Sequence, residues 1–176
     1  MSNPLRRALF WTLIITIIVL DVVTKAWAER ALAPRGIPRE VIGDWLRLTL
    51  VYNTGAAFGI SLGPYSRWLF LALAIVALVI LARLYRQTPD SDRFRIASIG
   101  LVCAGAIGNV IDRIRHPMGV VDFIDIGVGL HRWPTFNVAD MAVSVGAFML
   151  AWSLWAEDRA RARAATTSVS GSAERA

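Results

Sequence analysis

Long apolar runs alternate with polar segments along the chain. The runs cover about 8–24, 68–84, 96–114 and 138–155. Each is near the ~17–25 residues that cross a bilayer core as a helix. The second, WLFLALAIVALVILARL, is the cleanest, while the others carry polar residues toward one end. Between the first and second runs, DWLRLTLVYN alternates. Leu46, Leu48, Leu50 and Tyr52 fall on one face and Arg47 and Thr49 on the other, which predicts a strand. NTGAAFGISLGP follows, rich in small residues, and the two stretches together predict a small sheet on one face of the bundle. The tail ATTSVSGSAERA is polar and small, which predicts disorder from residue 164. The pattern as a whole predicts an all-α polytopic membrane protein with four transmembrane helices and a small outer β-sheet. Residues 1–163 form one membrane-embedded domain and 164–176 a tail.

Composition agrees. At 56% hydrophobic over 176 residues, the chain is too apolar for an ordinary soluble domain. A formal charge of +6 would suggest nucleic acid in a soluble protein. Here the basic residues cluster between apolar runs, where they anchor helix ends and meet anionic lipid. Lipid, and not nucleic acid, is the expected partner. The first run also has features of a cleavable signal peptide: NPLRR before it and AWA at 26–28. Asp21, Lys25, the bulky Trp27 and three further spans favour a retained helix. Arg6 and Arg7, then Arg83, Arg86, Arg93 and Arg95, then Arg159, Arg161 and Arg163 mark three regions that share a side, the cytoplasm. Loops at about 25–67 and 115–136 then face outward.

Under this topology the polar residues of the apolar runs collect at the outer face. Asp21 and Lys25 end the first run, Asn109, Asp112 and Arg113 end the third, and Asn137 and Asp140 open the fourth. Spacings of three and four place each set on one helical face. Charge facing lipid is costly, so these groups should turn inward and form a polar site. Caps and interfacial anchors are the plainer account of any one of them: Asn137 suits an N-cap and Asp140 a first turn. His116 and His131 stand alone in loops, Cys103 sits in an apolar run, and Ser144 has no matching base. No metal ligand set or phosphate loop is visible, so no cofactor is expected. Carboxylates remain. Two held close cannot both ionise comfortably, and such a pair can activate water with one member and protonate a carbonyl with the other. Asp122 and Asp125 lie just before the fourth run, three residues apart, and either could serve.

The stretches DVVTK at 21–25, NTGAAFG at 53–59, GNVIDR at 108–113, VVDF at 120–123 and FNVAD at 136–140 occur in the order found in bacterial lipoprotein signal peptidases (signal peptidase II). The chain resembles that family of intramembrane aspartic peptidases over nearly its whole length. The resemblance implies that Asp122 and Asp140 are the catalytic dyad. It implies that Asp112 and Arg113 brace the site, and that Asn53, Asn109 and Asn137 hydrogen-bond substrate or dyad. Gly55 joins the supporting set, and Asp21 and Lys25 support the outer rim. It further implies a periplasmic sheet cradling the substrate, with a short mobile helix near 55–63 closing over it. The substrate would be a diacylated prolipoprotein, cut just before the lipidated cysteine. Globomycin-type inhibitors, a monomer and the bacterial inner membrane, with both termini cytoplasmic, complete the expectation. A small proton- or cation-coupled transporter using buried Asp residues is the alternative.

Overall fold

The computed structural model describes residues 3–55, 63 and 65–173. Among them, four helices are long and apolar enough to cross a membrane: α1 (Pro4–Ala31), α2 (Ser66–Gln87), α3 (Arg93–Arg115) and α4 (Val138–Ala173). Asn3 accepts from the Leu5 N–H ahead of Pro4, and Asp92 accepts from the Arg95 N–H, so α1 and α3 start at polar caps. α4 runs past the apolar run of 138–155, its Ala/Arg stretch from Arg159 to Ala165 favouring helix at every position. The short helix expected near 55–63 falls largely outside the described residues.

α3 is the hub, packed against the other three helices. In lipid, apolar side chains gain little by meeting each other, so close backbone approach has to hold the helices together. A Cβ on Gly105 would lie 2.2 Å from the Ala139 carbonyl, and one on Gly108 would lie 2.5 Å from the Asp21 carboxylate. Glycine at both positions is what lets α1 and α4 close on α3. Facing outward are Ile15, Val19 and Val23 of α1, Leu69, Leu73, Val76 and Ile80 of α2, and Met141, Val145, Phe148 and Trp152 of α4. Their spacing of three and four makes lipid-facing stripes. Phe10, Ile14, Leu81, Ile96, Ile99 and Cys103 fill the core at the other end of the bundle from the polar groups.

An antiparallel sheet in the order β1-β2-β3-β4 caps the polar end: β1 (Arg39–Ile42), β2 (Leu46–Asn53), β3 (Val120–Val128) and β4 (His131–Arg132). The alternation expected in β2 is interrupted by a bulge between Leu48 and Val51, where Thr49 and Leu50 are both buried. β3 was not expected: the sequence places Asp122 in a loop, and the structure places it in a strand. Leu50, Val121 and Phe123 pack with Ala28 of α1 and with Leu32 just beyond its end, fastening the sheet to the bundle. The chain turns from α3 into β3 at Gly119, whose φ of 106° and closeness to the Asn53 carbonyl (2.2 Å for a Cβ) exclude a side chain.

Candidate active site

The β2–β3 pairing sets Val51 opposite Asp122 and Asn53 opposite Val120. Asn53 thus comes beside Asp122, and its Nδ2 donates to the Asp122 carboxylate at 3.2 Å. From the start of α4, Asn137 Nδ2 donates to the other Asp122 oxygen at 2.6 Å. The same residue caps α4. Its Oδ1 accepts from the Asp140 N–H at 2.9 Å, and its own N–H donates back to the Asp140 carboxylate at 3.2 Å, closing a capping box. Asn109 Nδ2 of α3 donates to Asp140 Oδ1 at 2.8 Å. The cap and the polar-site accounts of Asn137 and Asp140 therefore hold together, because one side chain does both.

Behind these groups lies a buried charge cluster. Lys25 Nζ sits 2.8 Å from Asp21 and 2.8 Å from Asp112, and donates to Asn109 Oδ1 at 3.1 Å. That bond leaves the Asn109 amide nitrogen turned toward Asp140. Asp21 accepts from the Ala139 N–H at 2.9 Å, and Asp112 from the Val121 N–H at 3.1 Å. Asp21 and Lys25 are enclosed, at 0% and 2% exposure, and their bonds tie α1 to α3 and α4. A lone charge at that depth would be prohibitive, and the pairing with Lys25 offsets part of the cost. Arg113 donates to the carbonyls of Asn109 at 3.2 Å and Gly55 at 3.0 Å, which fixes the chain just after β2.

Asp122, Asp140, Asn53, Asn109 and Arg113 line a cavity of about 560 Å³. Among the described residues, Val120, the segment Trp133–Phe136, Met141 and Val143 to Val145 of α4 line it too. The apolar wall is not singled out in the sequence; Phe136 within FNVAD was its available signal. The cavity joins a polar end, holding the carboxylates, to an apolar arm along a membrane helix. Burial, reinforced by the negative charge of Asp140, pushes the Asp122 carboxyl up to about 7, against the opposing pull of the Asn53 and Asn137 amides and of Lys25. At neutral pH that carboxyl retains a proton much of the time, the condition for one acid and one base side by side.

Asp125, the other carboxylate open on sequence, is buried away from the cavity and bonds Thr49 and Arg132. On a strand, a separation of three sends two side chains to opposite faces. His116 ends α3 with Nδ1 3.7 Å from Glu29, and His131 is exposed on β4.

A family model described as signal peptidase (SPase) II matches residues 13–156. The chain is 44% identical over 154 residues to the lipoprotein signal peptidase of Hydrogenovibrio crunogenus, covering 86% of this chain and 88% of that one. It is likewise 44% identical over 151 residues to the lipoprotein signal peptidase of Xylella fastidiosa, covering 84% and 89%. A solved bacterial membrane enzyme, determined by the in meso method at 2.3 Å, superposes with a TM-score of 0.72 at 30% identity, covering 85% of this chain and 88% of its own.

Proposed function

The chain belongs to the signal peptidase II family, and on that premise we propose how its own residues carry out the reaction. It is a lipoprotein signal peptidase, a multi-pass membrane protease of the aspartic class, and its substrate is a prolipoprotein cut just before the lipidated cysteine. Asp122 and Asp140 act as the dyad. The ionised member takes a proton from water as that water attacks the scissile carbonyl. The protonated member hydrogen-bonds the carbonyl oxygen and yields its proton as the tetrahedral intermediate forms. Return of a proton to the leaving amine breaks the C–N bond. The observation that carries this reading is the junction at Asn137, which holds both carboxylates on one cavity.

Asn53 and Asn109 supply the remaining amides, and Asp21, Lys25, Asp112, Arg113 and Gly55 hold those amides and the cavity rim in place. The peptidase unit is residues 1–163, working as a monomer in the bacterial inner membrane, with both termini cytoplasmic and the dyad near the outer face. A globomycin-type cyclic peptide competes for the same cavity. The transporter alternative is not favoured: the family is a peptidase family, and the most deeply enclosed charges of the described residues, Asp21, Lys25 and Asp122, gather at one end of the bundle.

The test uses purified protein with a diacylated prolipoprotein. Mass spectrometry should find cleavage just before the lipidated cysteine, and Asp122→Asn and Asp140→Asn should each lower turnover by roughly 10²-fold or more. Near wild-type turnover in either variant removes that residue from the dyad.

A further inference from the structure

Asp125 has a role of its own. Thr49 Oγ1 donates to its Oδ2 at 3.1 Å, and Arg132 Nε donates to its Oδ1 at 2.5 Å. Arg132 Nη2 also donates to the Asp125 carbonyl at 3.1 Å. The same guanidinium reaches the β1–β2 turn, where Nη1 donates to the Asp44 carbonyl at 3.0 Å and carboxylate at 3.3 Å. Asp44 in turn pairs with Arg47 and accepts from the Gly129 N–H in the β3–β4 turn. One arginine, four-fifths buried, thus bonds two carboxylates from separate segments.

The residues after Arg132 form a wall of the cavity. The Trp133 N–H donates to the Ile126 carbonyl at 2.7 Å, and Phe136 exchanges bonds with Ile124 at 3.0 and 2.8 Å. Segment 133–136 is therefore stitched to β3 at both ends, and the side chain anchoring its near end is Arg132. The guanidinium spreads its donors over a fixed planar fork, so Arg132 reaches both carboxylates and two backbone carbonyls together; a lysine, with three donors on one atom, would not span them all.

We propose that Arg132 is a positioning residue: gripped by Asp125 and Asp44, it holds segment 133–136 as a wall of the cavity and so sets how tightly the prolipoprotein binds. Arg132 itself does not line the cavity, so its effect passes through that wall. The inference rests on the cavity being the site of cleavage.

Steady-state cleavage by the purified full-length protein tests it, with Arg132→Gln, Arg132→Lys and Asp125→Asn beside the wild type and Asp122→Asn. KM should rise roughly tenfold in Arg132→Gln and Asp125→Asn while kcat stays within about twofold. Arg132→Lys should behave like Arg132→Gln. Unchanged KM in both Arg132→Gln and Asp125→Asn overturns the proposal. So does a fall in kcat at unchanged KM, which is what loss of folded enzyme produces. If Arg132→Gln does not fold, Asp125→Asn, which keeps the side chain's shape, decides. An active Asp122→Asn would count against the cavity as the cleavage site, independently of the Arg132 result.

Discussion

Asn137 donates its amide to Asp122 at 2.6 Å while its carbonyl oxygen caps the turn of α4 that carries Asp140. Strand and helix are registered through one side chain, so the dyad geometry depends on the α4 N-terminus being formed.

The two duties of Asn137 can be separated. Asn137→Ala should lose the cap, at about 1 kcal/mol, and the Asp122 bond as well. Asn137→Ser restores a good cap but has no amide to offer Asp122. Thermal unfolding of the serine variant should recover the share of the cap but not that of the buried bonds to Asp122 and the Val121 carbonyl, while kcat stays down by roughly tenfold or more. Wild-type turnover in Asn137→Ser would mean that capping is all Asn137 contributes.

The spans, the sheet and the set of polar residues were legible because each rests on local pattern: hydrophobic length, alternation, and pairs three or four apart. Strand β3 was not. VVDFIDIGV buries residues on both faces, Asp122 toward the cavity and Asp125 toward Thr49 and Arg132, so the apolar/polar alternation that marks a half-exposed strand is lost. The same ambiguity left Asp125 level with Asp122 on local pattern, where only the family resemblance ranked Asp122 first; the strand sends the two to opposite faces. The Asp21–Lys25 pair followed from helical spacing, but the third partner, Asp112, comes from a different helix, and no local period announces it.

Lys25 is the sole cation contacting Asp21 and Asp112 among the ion pairs of the described residues. Lys25→Met should strand two carboxylates in a nearly dry interior and cost roughly 3–5 kcal/mol. Lys25→Met/Asp112→Asn should recover part of that loss, since fewer unpaired charges remain. Thermal unfolding of the purified variants measures both. A single variant as stable as the wild type would show that water reaches this cluster.

Orientation is testable without activity. Leu130, fully exposed at the β3–β4 turn, and Ser91, exposed between α2 and α3, lie at opposite ends of the bundle. In a Cys103→Ala background, Leu130→Cys should react with an impermeant thiol reagent in spheroplasts, and Ser91→Cys only after lysis. The arginines around Ser91 supply the warrant. The reverse labelling would place the dyad on the cytoplasmic side.

The pH profile follows from Asp122. Its carboxyl is pushed from an ordinary value of about 3.9 up to about 7, first by burial and then by the charge of Asp140. The shared proton is therefore held below about 7 and lost above it, and kcat/KM should fall on the alkaline side with an apparent pKa near that value. Asn53 donates to the ionised form and pulls the value down, so Asn53→Ala should move the alkaline limb to higher pH. Stability carries the same signature by a separate route. Between about 4 and 7 the folded state binds the Asp122 proton and the unfolded state does not, so the native state should lose stability as pH rises across that window. In Asp122→Asn this component vanishes, and the unfolding temperature should vary less over the same interval. Because that readout needs no substrate, it separates a true shift at Asp122 from any pH dependence of prolipoprotein binding. An unchanged stability profile in Asp122→Asn would assign the alkaline limb to another group.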